Sequence, residues 1–166
     1  MRFKRILHPT DYSETSHPAL HYAADLAHDA RADLILLHVV DTLGLDNVPY
    51  GQLASPDQPA AYRRQLFDDL HRLKPDDPQV HVEYVLSEED PVTAILRTAA
   101  DFGCDLIVLG THGVGGWKRL LVGSIAEEVV RRAACPVLVV KPPAPTKPLP
   151  PLVATALHPG RLTERD

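Results

Sequence analysis

Five short apolar runs, separated by stretches of helical period, constrain this chain more than any other feature. The runs are Phe3 to Leu7, Leu34 to Val40, Val80 to Leu86, Leu106 to Leu109 and Val137 to Val140. The second, fourth and fifth are nearly continuous, the pattern of parallel strands covered on both faces. The third alternates, with Val80, Val82, Tyr84 and Leu86 on one side and His81 and Glu83 on the other, and reads as an edge strand. Between runs the period lengthens. Ala19, Ala23, Leu26, Ala27 and Ala30 fall at helical spacing after the cap-rich Ser13-Glu-Thr-Ser16, with Pro18 placed where a first turn tolerates it. Val92, Ile95, Leu96 and Ala99 follow Asp90-Pro91, a cap and then a proline at the first helical position. Ala126, Val129, Val130 and Ala133 form the last stripe, beside Glu127 and Glu128 set four residues before Arg131 and Arg132. A weaker helix from Ala60 to Leu73 follows an irregular loop between Asp41 and Gln58. This alternation predicts an α/β fold, a parallel sheet with helices on both faces, and leaves the strand order open.

A chain of 166 residues is long enough for one domain with a substantial core. After Lys141, Pro142, Pro143, Pro145, Pro148, Pro150 and Pro151 crowd together, which excludes a helix or a central strand. The sequence therefore divides into a domain over residues 1–141 and an extended or disordered Pro-rich tail over 142–166. A net charge of −5 leaves no excess of cations to neutralise a nucleic-acid backbone. No apolar run approaches the roughly eighteen residues of a membrane span, and Met1 to Pro9 lacks the apolar stretch of a signal peptide. Cys104 and Cys135 have no paired metal spacing and read as small core residues. A cytoplasmic location is the expectation.

Chemistry concentrates after the fourth run. Gly110-Thr-His-Gly113, then nine residues, then Gly123-Ser124 at a helix start give the order strand, glycine-rich loop, helix N-terminus. In that order glycines let the backbone approach an anion, and the first free helical N–H groups point at it. Ser124 can cap the helix or donate its hydroxyl to a phosphate oxygen. Lys118 and Arg119 lie between the glycines, as counter-charges or as solvated surface residues. A second constellation, Pro9-Thr10-Asp11, closes the first strand, where ligands of open α/β sheets bind. Asp11 can accept from both ribose hydroxyls, with Thr10 beside it, or Asp11 and Ser13 can merely shape the turn.

Other chemistries are disfavoured. The nine histidines show no His-x-x-x-His, there is no Cys-x-x-Cys, and no metal site is expected. Neither Gly-x-x-x-x-Gly-Lys-Ser/Thr, nor Gly-x-Gly-x-x-Gly after the first strand, nor the nucleophile elbow Gly-x-Ser-x-Gly occurs.

Ile6-Leu-His-Pro-Thr-Asp-Tyr-Ser-Glu14, Leu36-Leu-His-Val-Val40, Asp105-Leu-Ile-Val-Leu-Gly-Thr-His-Gly113, Gly123-Ser-Ile-Ala-Glu-Glu-Val-Val130 and Cys135-Pro-Val-Leu-Val-Val140 together resemble the universal stress protein family, in its ATP-binding branch. The resemblance runs in order over residues 2–141. It implies a sheet of order 3-2-1-4-5 and a homodimer through the fifth strand. It also implies ATP, with or without magnesium, in a crevice between strands one and four. Asp11 would take the ribose, with Pro9, Thr10 and the main chain of Val39 near the adenine. Gly110 and Gly113 would line the ribose and phosphates, and Gly123, Ser124 and the N–H of Ile125 would hold the phosphates. Two departures stand out: Ala126 where some ATP-binding members place a threonine, and Glu89 where the family often has glycine. The implied function is an ATP-binding regulatory or adaptor module in stress response. The alternatives are slow ATP hydrolysis at the same site, with His112 and Asp11 as its visible candidates, and a nucleotide-free interaction protein.

Overall fold

The computed structural model describes residues 3–13, 16–40, 58–75, 77–111 and 123–141, the side chains of 58–62 excepted. All five apolar runs form strands: β1 (Arg5–Thr10), β2 (Asp33–Val39), β3 (Val82–Ser87), β4 (Leu106–Gly110) and β5 (Val137–Val140). Among the described residues four helices alternate with them: α1 (His17–Ala30), α2 (Gln58–Arg72), α3 (Pro91–Asp101) and α4 (Ser124–Arg132). Every strand pair is parallel, and the sheet order is β3-β2-β1-β4-β5. The α/β expectation and the implied order both hold. No helix among the described residues is long and apolar enough to cross a membrane.

The sheet separates two apolar layers. On one face Ile6, Leu34, Leu36 and Val108 pack with Ala19, Ala23 and Ala27 of α1 and Leu70 of α2. On the other, Leu7, Ile35, Leu37, Ile107 and Leu109 pack with Ala94, Ile95 and Ala99 of α3 and Ala126 and Val129 of α4. Strand alternation divides adjacent residues between the layers, which is why β2 and β4 must be apolar almost throughout. Ala19, Ala23 and Ala27 repeat every four residues and are essentially inaccessible, so α1 lies against the sheet with only methyl groups between. Replacing Ala23 by leucine should overpack this contact and destabilise the domain by about 1–3 kcal/mol. A lowered urea midpoint at unchanged slope is the expected readout.

Helix ends follow local chemistry. Asp90 caps α3, its Oδ1 accepting from the Thr93 N–H at 3.1 Å, with Pro91 first in the helix. Ser16 occupies the cap position of α1, but its hydroxyl donates to the Ser13 carbonyl at 2.8 Å instead of capping. On α4 the expected pairing of two glutamates with two arginines is redistributed: Glu128 takes both Arg131 and Arg132.

One expectation requires correction. β5 is an edge strand and is not covered on both faces: Leu138 is 36% exposed, and only Val140 is buried. The continuous apolar pattern of β5 thus marks an uncovered edge. Cys104 is buried and Cys135 half-buried. Burial pushes the Cys104 thiol up to about 12 and raises that of Cys135, so both behave as core residues, as expected.

Candidate functional site: the crevice between β1 and β4

β1 pairs with β2 along its whole length, from Arg5↔Asp33 to Thr10↔His38. It pairs with β4 only at Ile6↔Leu106 and Leu7↔Ile107. Beyond Leu7 the ladder to β4 stops. Pro9 brings no N–H to it, and the Val108 carbonyl instead accepts from Nδ1 of His8 at 2.9 Å. The strand order reverses at this point, with β2 and β3 on one side of β1 and β4 and β5 on the other. The carboxyl ends of β1 and β4 therefore part where an open α/β sheet places its ligand.

On the β1 side, the turn after Thr10 is held by its own polar groups. Asp11 Oδ1 accepts from the Ser13 N–H at 3.1 Å and the Ser13 hydroxyl at 2.6 Å. Asp11 thus does shape the turn, and a carboxylate, with about four acceptor positions, keeps capacity for further donors. Tyr12 has φ 61°, the left-handed region a bulky residue rarely adopts. Its surroundings hold it there. The Tyr12 N–H donates to Thr10 Oγ1 at 3.2 Å, its hydroxyl to the Leu66 carbonyl of α2 at 2.9 Å, and its ring lies 4.1 Å from that of His38. Thr10, expected beside Asp11 as a further ligand contact, is buried and turns Oγ1 to Ser16 and Tyr12. Its carbonyl accepts from His38 Nδ1 at 2.9 Å. β2 runs one residue past its last β1 pair, carrying Val39 to the rim beside Ser87.

On the β4 side, Gly110 pairs with Val140 and the Thr111 N–H donates to the Val140 carbonyl at 3.1 Å. The Thr111 carbonyl then accepts from the Gly123 N–H at 2.8 Å. Residues 112–122, with Gly113, His112, Lys118 and Arg119, lie outside the described residues. Their two flanks nevertheless meet, because Gly123 sits directly against Thr111. A Cβ on Gly123 would stand 3.0 Å from the Thr111 carbonyl oxygen, so close approach is what glycine supplies here.

α4 starts immediately after this contact. Gly123, not Ser124, takes the cap position, and no side chain caps the helix. Ser124 is the first helical residue and is exposed, so the capping role considered for it is not the one it plays. The first intrahelical bond runs from the Glu127 N–H to the Gly123 carbonyl, leaving the N–H groups of Ser124, Ile125 and Ala126 without helical acceptors. The Ala126 methyl faces the core and is 5% exposed. A threonine there would not turn its hydroxyl outward by default, which lessens that departure. Glu89, the other departure, pairs with Arg97 of α3.

The frame of the crevice includes residues that local patterns did not single out. His8 is fully buried, and its Nε2 has no partner among the described residues. Burial lowers its pKa to about 4, with the bond to Val108 opposing, so the ring is neutral at physiological pH. Burial also lowers that of His38. With the His8 and His38 Nδ1–H groups donating to carbonyls, both rings are held as the tautomer whose Nε2 is an acceptor. The apolar neighbourhood of His8 was visible in the sequence; its reach across to Val108 was not.

Residues 2–141 match the sequence profile of the Universal stress protein family. The chain belongs to that family. A universal stress protein of Methanocaldococcus jannaschii is 34% identical over 146 residues, spanning 85% of this chain and 84% of the relative. The structure of the universal stress protein UspA from Lactobacillus plantarum superposes with a TM-score of 0.61 at 28% identity, covering 84% of this chain and 99% of that one. A universal stress protein solved in complex with cAMP shares the fold, with a TM-score of 0.56 at 24% identity over 84% of this chain and 98% of its own.

Proposed function

We propose that this universal stress protein binds an adenine nucleotide, ATP in particular, in the crevice between β1 and β4, and that it works as a nucleotide-dependent regulatory or adaptor module in the cytoplasm. One observation carries the reading. The two strands part beyond Leu7 with a carboxylate, Asp11, on one bank and an uncapped helix N-terminus, that of α4, on the other. These are the two groups that a nucleoside phosphate needs: an acceptor for ribose hydroxyls and a row of N–H donors for phosphate.

Asp11 takes the ribose hydroxyls. Pro9 and the main chain of Val39 border the adenine, and Thr10 serves through its backbone, since its hydroxyl is committed to the turn. Gly110 and Gly113 line the ribose and phosphates. Gly123 lets the start of α4 close onto Thr111, and the N–H groups of Ser124 and Ile125, with the Ser124 hydroxyl, receive the phosphates. The nucleotide, bound with or without magnesium, supplies negative charge that the α4 terminus attracts, and it links the two flanks of the segment from 112 to 122. The cAMP complex of a protein sharing this fold supports an adenine nucleotide as the class of ligand.

The exposed edge of β5, with Leu138 partly bare, is the surface through which a homodimer would pair. Calorimetry with ATP tests the binding reading. Wild-type protein should bind, and Asp11→Asn should bind at least tenfold more weakly, about 1.4 kcal/mol. The asparagine carbonyl can keep the bonds from Ser13, so the turn survives while the charge is lost. Equal affinity in the two proteins would remove Asp11 from the site.

A further inference from the structure

We propose a second site, for a divalent first-row transition-metal ion, formed by Asp33, His81 and Glu83 at the end of the sheet opposite the nucleotide crevice. Asp33 opens β2, His81 immediately precedes β3 and Glu83 lies within it. Each side chain offers one ligand atom, and these atoms all lie within 4.8 Å of one another. Strand register builds the group. Leu34↔Val82 and Ile35↔Glu83 are the first pairs between β2 and β3, and the Leu34 N–H donates to the His81 carbonyl at 2.9 Å, which sets His81 across from Asp33. His81 leads directly into β3 two residues before Glu83, and the two therefore share a face. Asp33 stands beside them on the neighbouring strand, about 4.8 Å away in the hydrogen-bonding direction. His81 Nδ1 already lies 3.2 Å from Asp33 Oδ1.

The donor set decides the class of ion. Two carboxylates match a dication in charge, and an imidazole nitrogen favours zinc, copper, nickel or cobalt over magnesium or calcium, which take oxygen. Three protein ligands leave coordination positions for water, which the exposure of His81 allows. The competing cation is Arg5, whose Nε lies 3.9 Å from Asp33 Oδ2. That pair is half-exposed and correspondingly weak, and the Arg5 guanidinium has a second anchor, donating to the Phe102 carbonyl at 2.6 Å. It can stay in place when Asp33 turns to a metal. Local spacing gave no sign of this group because Asp33 and His81 are 48 residues apart and meet only through the β2–β3 pairing.

Titrating the full-length, nucleotide-free protein with cobalt(II) tests the proposal, followed by calorimetry and visible absorption. Wild-type protein should bind one ion with the spectrum of nitrogen and oxygen ligands. His81→Ala and Glu83→Gln should each weaken binding at least tenfold. Both replacements lie at the surface, and unchanged urea midpoints would show that the variants fold. Affinity unaltered by His81→Ala would overturn the site, as would a sulfur-to-cobalt charge-transfer band, which would place the ion on a cysteine. Because no nucleotide is present, the outcome is independent of whether the crevice binds ATP.

Discussion

Valine in place of Gly123 should weaken ATP binding at least tenfold and destabilise the domain by about 1–3 kcal/mol. Glycine at this position carries out two tasks through one contact. Its N–H donates to the Thr111 carbonyl at 2.8 Å, which brings the start of α4 against the end of β4. A Cβ would stand 3.0 Å from that same carbonyl oxygen, and the γ-carbons of valine add bulk beyond it. The carbonyl is backbone and cannot swing aside as a flexible side chain would. The chain must therefore move, and what moves is the uncapped N-terminus proposed to hold phosphate. Ser124→Ala is the informative companion, since it deletes one hydroxyl and leaves the helical N–H groups in place. Its loss of affinity should be the smaller of the two. Calorimetry gives affinity and urea unfolding gives stability. Wild-type affinity in a folded Gly123→Val protein would remove the α4 terminus from the phosphate site.

Acid should destabilise this protein through His8. An unfolded histidine titrates near 6.5, whereas burial lowers His8 in the folded protein to about 4. Between those values the unfolded chain binds the extra proton, so stability rises with pH across the interval. The contribution is complete above about pH 6.5, is lost as pH falls toward 4, and is on the order of 3 kcal/mol in total. Charging the ring in its native position would strand an imidazolium where it is fully buried and where Nε2 has no acceptor among the described residues. His38 acts in the same direction, its pKa also lowered by burial. His8→Gln provides the comparison, because glutamine has no titration in this range and an amide that can donate to the Val108 carbonyl. Urea midpoints measured from pH 8 to 4 should fall more steeply for the wild type than for His8→Gln. Parallel curves would show that His8 does not drive acid lability.

The strands were legible because a parallel sheet buried on both faces imposes nearly unbroken apolar runs, and β2 and β4 carry them. β5 carries the same pattern and yet lies at an edge, since apolar content records what can be covered and not what this chain alone covers. The strand order is not contained in the alternation, because several doubly wound orders share it; only the motif resemblance supplied it, and the structure agrees. The cap at Asp90 was readable from Asp-Pro. At α4 the serine looked like the cap, while glycine occupies the position because the backbone must pass within contact of Thr111. Thr10 was visible as a residue of the turn, but that its hydroxyl takes the N–H of a left-handed Tyr12 was not legible, because it depends on the tertiary contacts of that ring. Asp11 and the Gly123–Ser124 step were visible as residues with a chemistry. Their placement on two banks of one crevice follows from the strands that carry them, and that is tertiary information. The same holds for His81 and Asp33, which no local spacing connects.

Identifying by mass what the protein releases on denaturation tests the central claim most directly. Purified without added nucleotide and then denatured, the wild-type protein should release an adenine nucleotide, and Asp11→Asn and Gly123→Val should release far less. A wild-type protein that releases none, and that binds no ATP when supplied with it at millimolar concentration, would contradict the account.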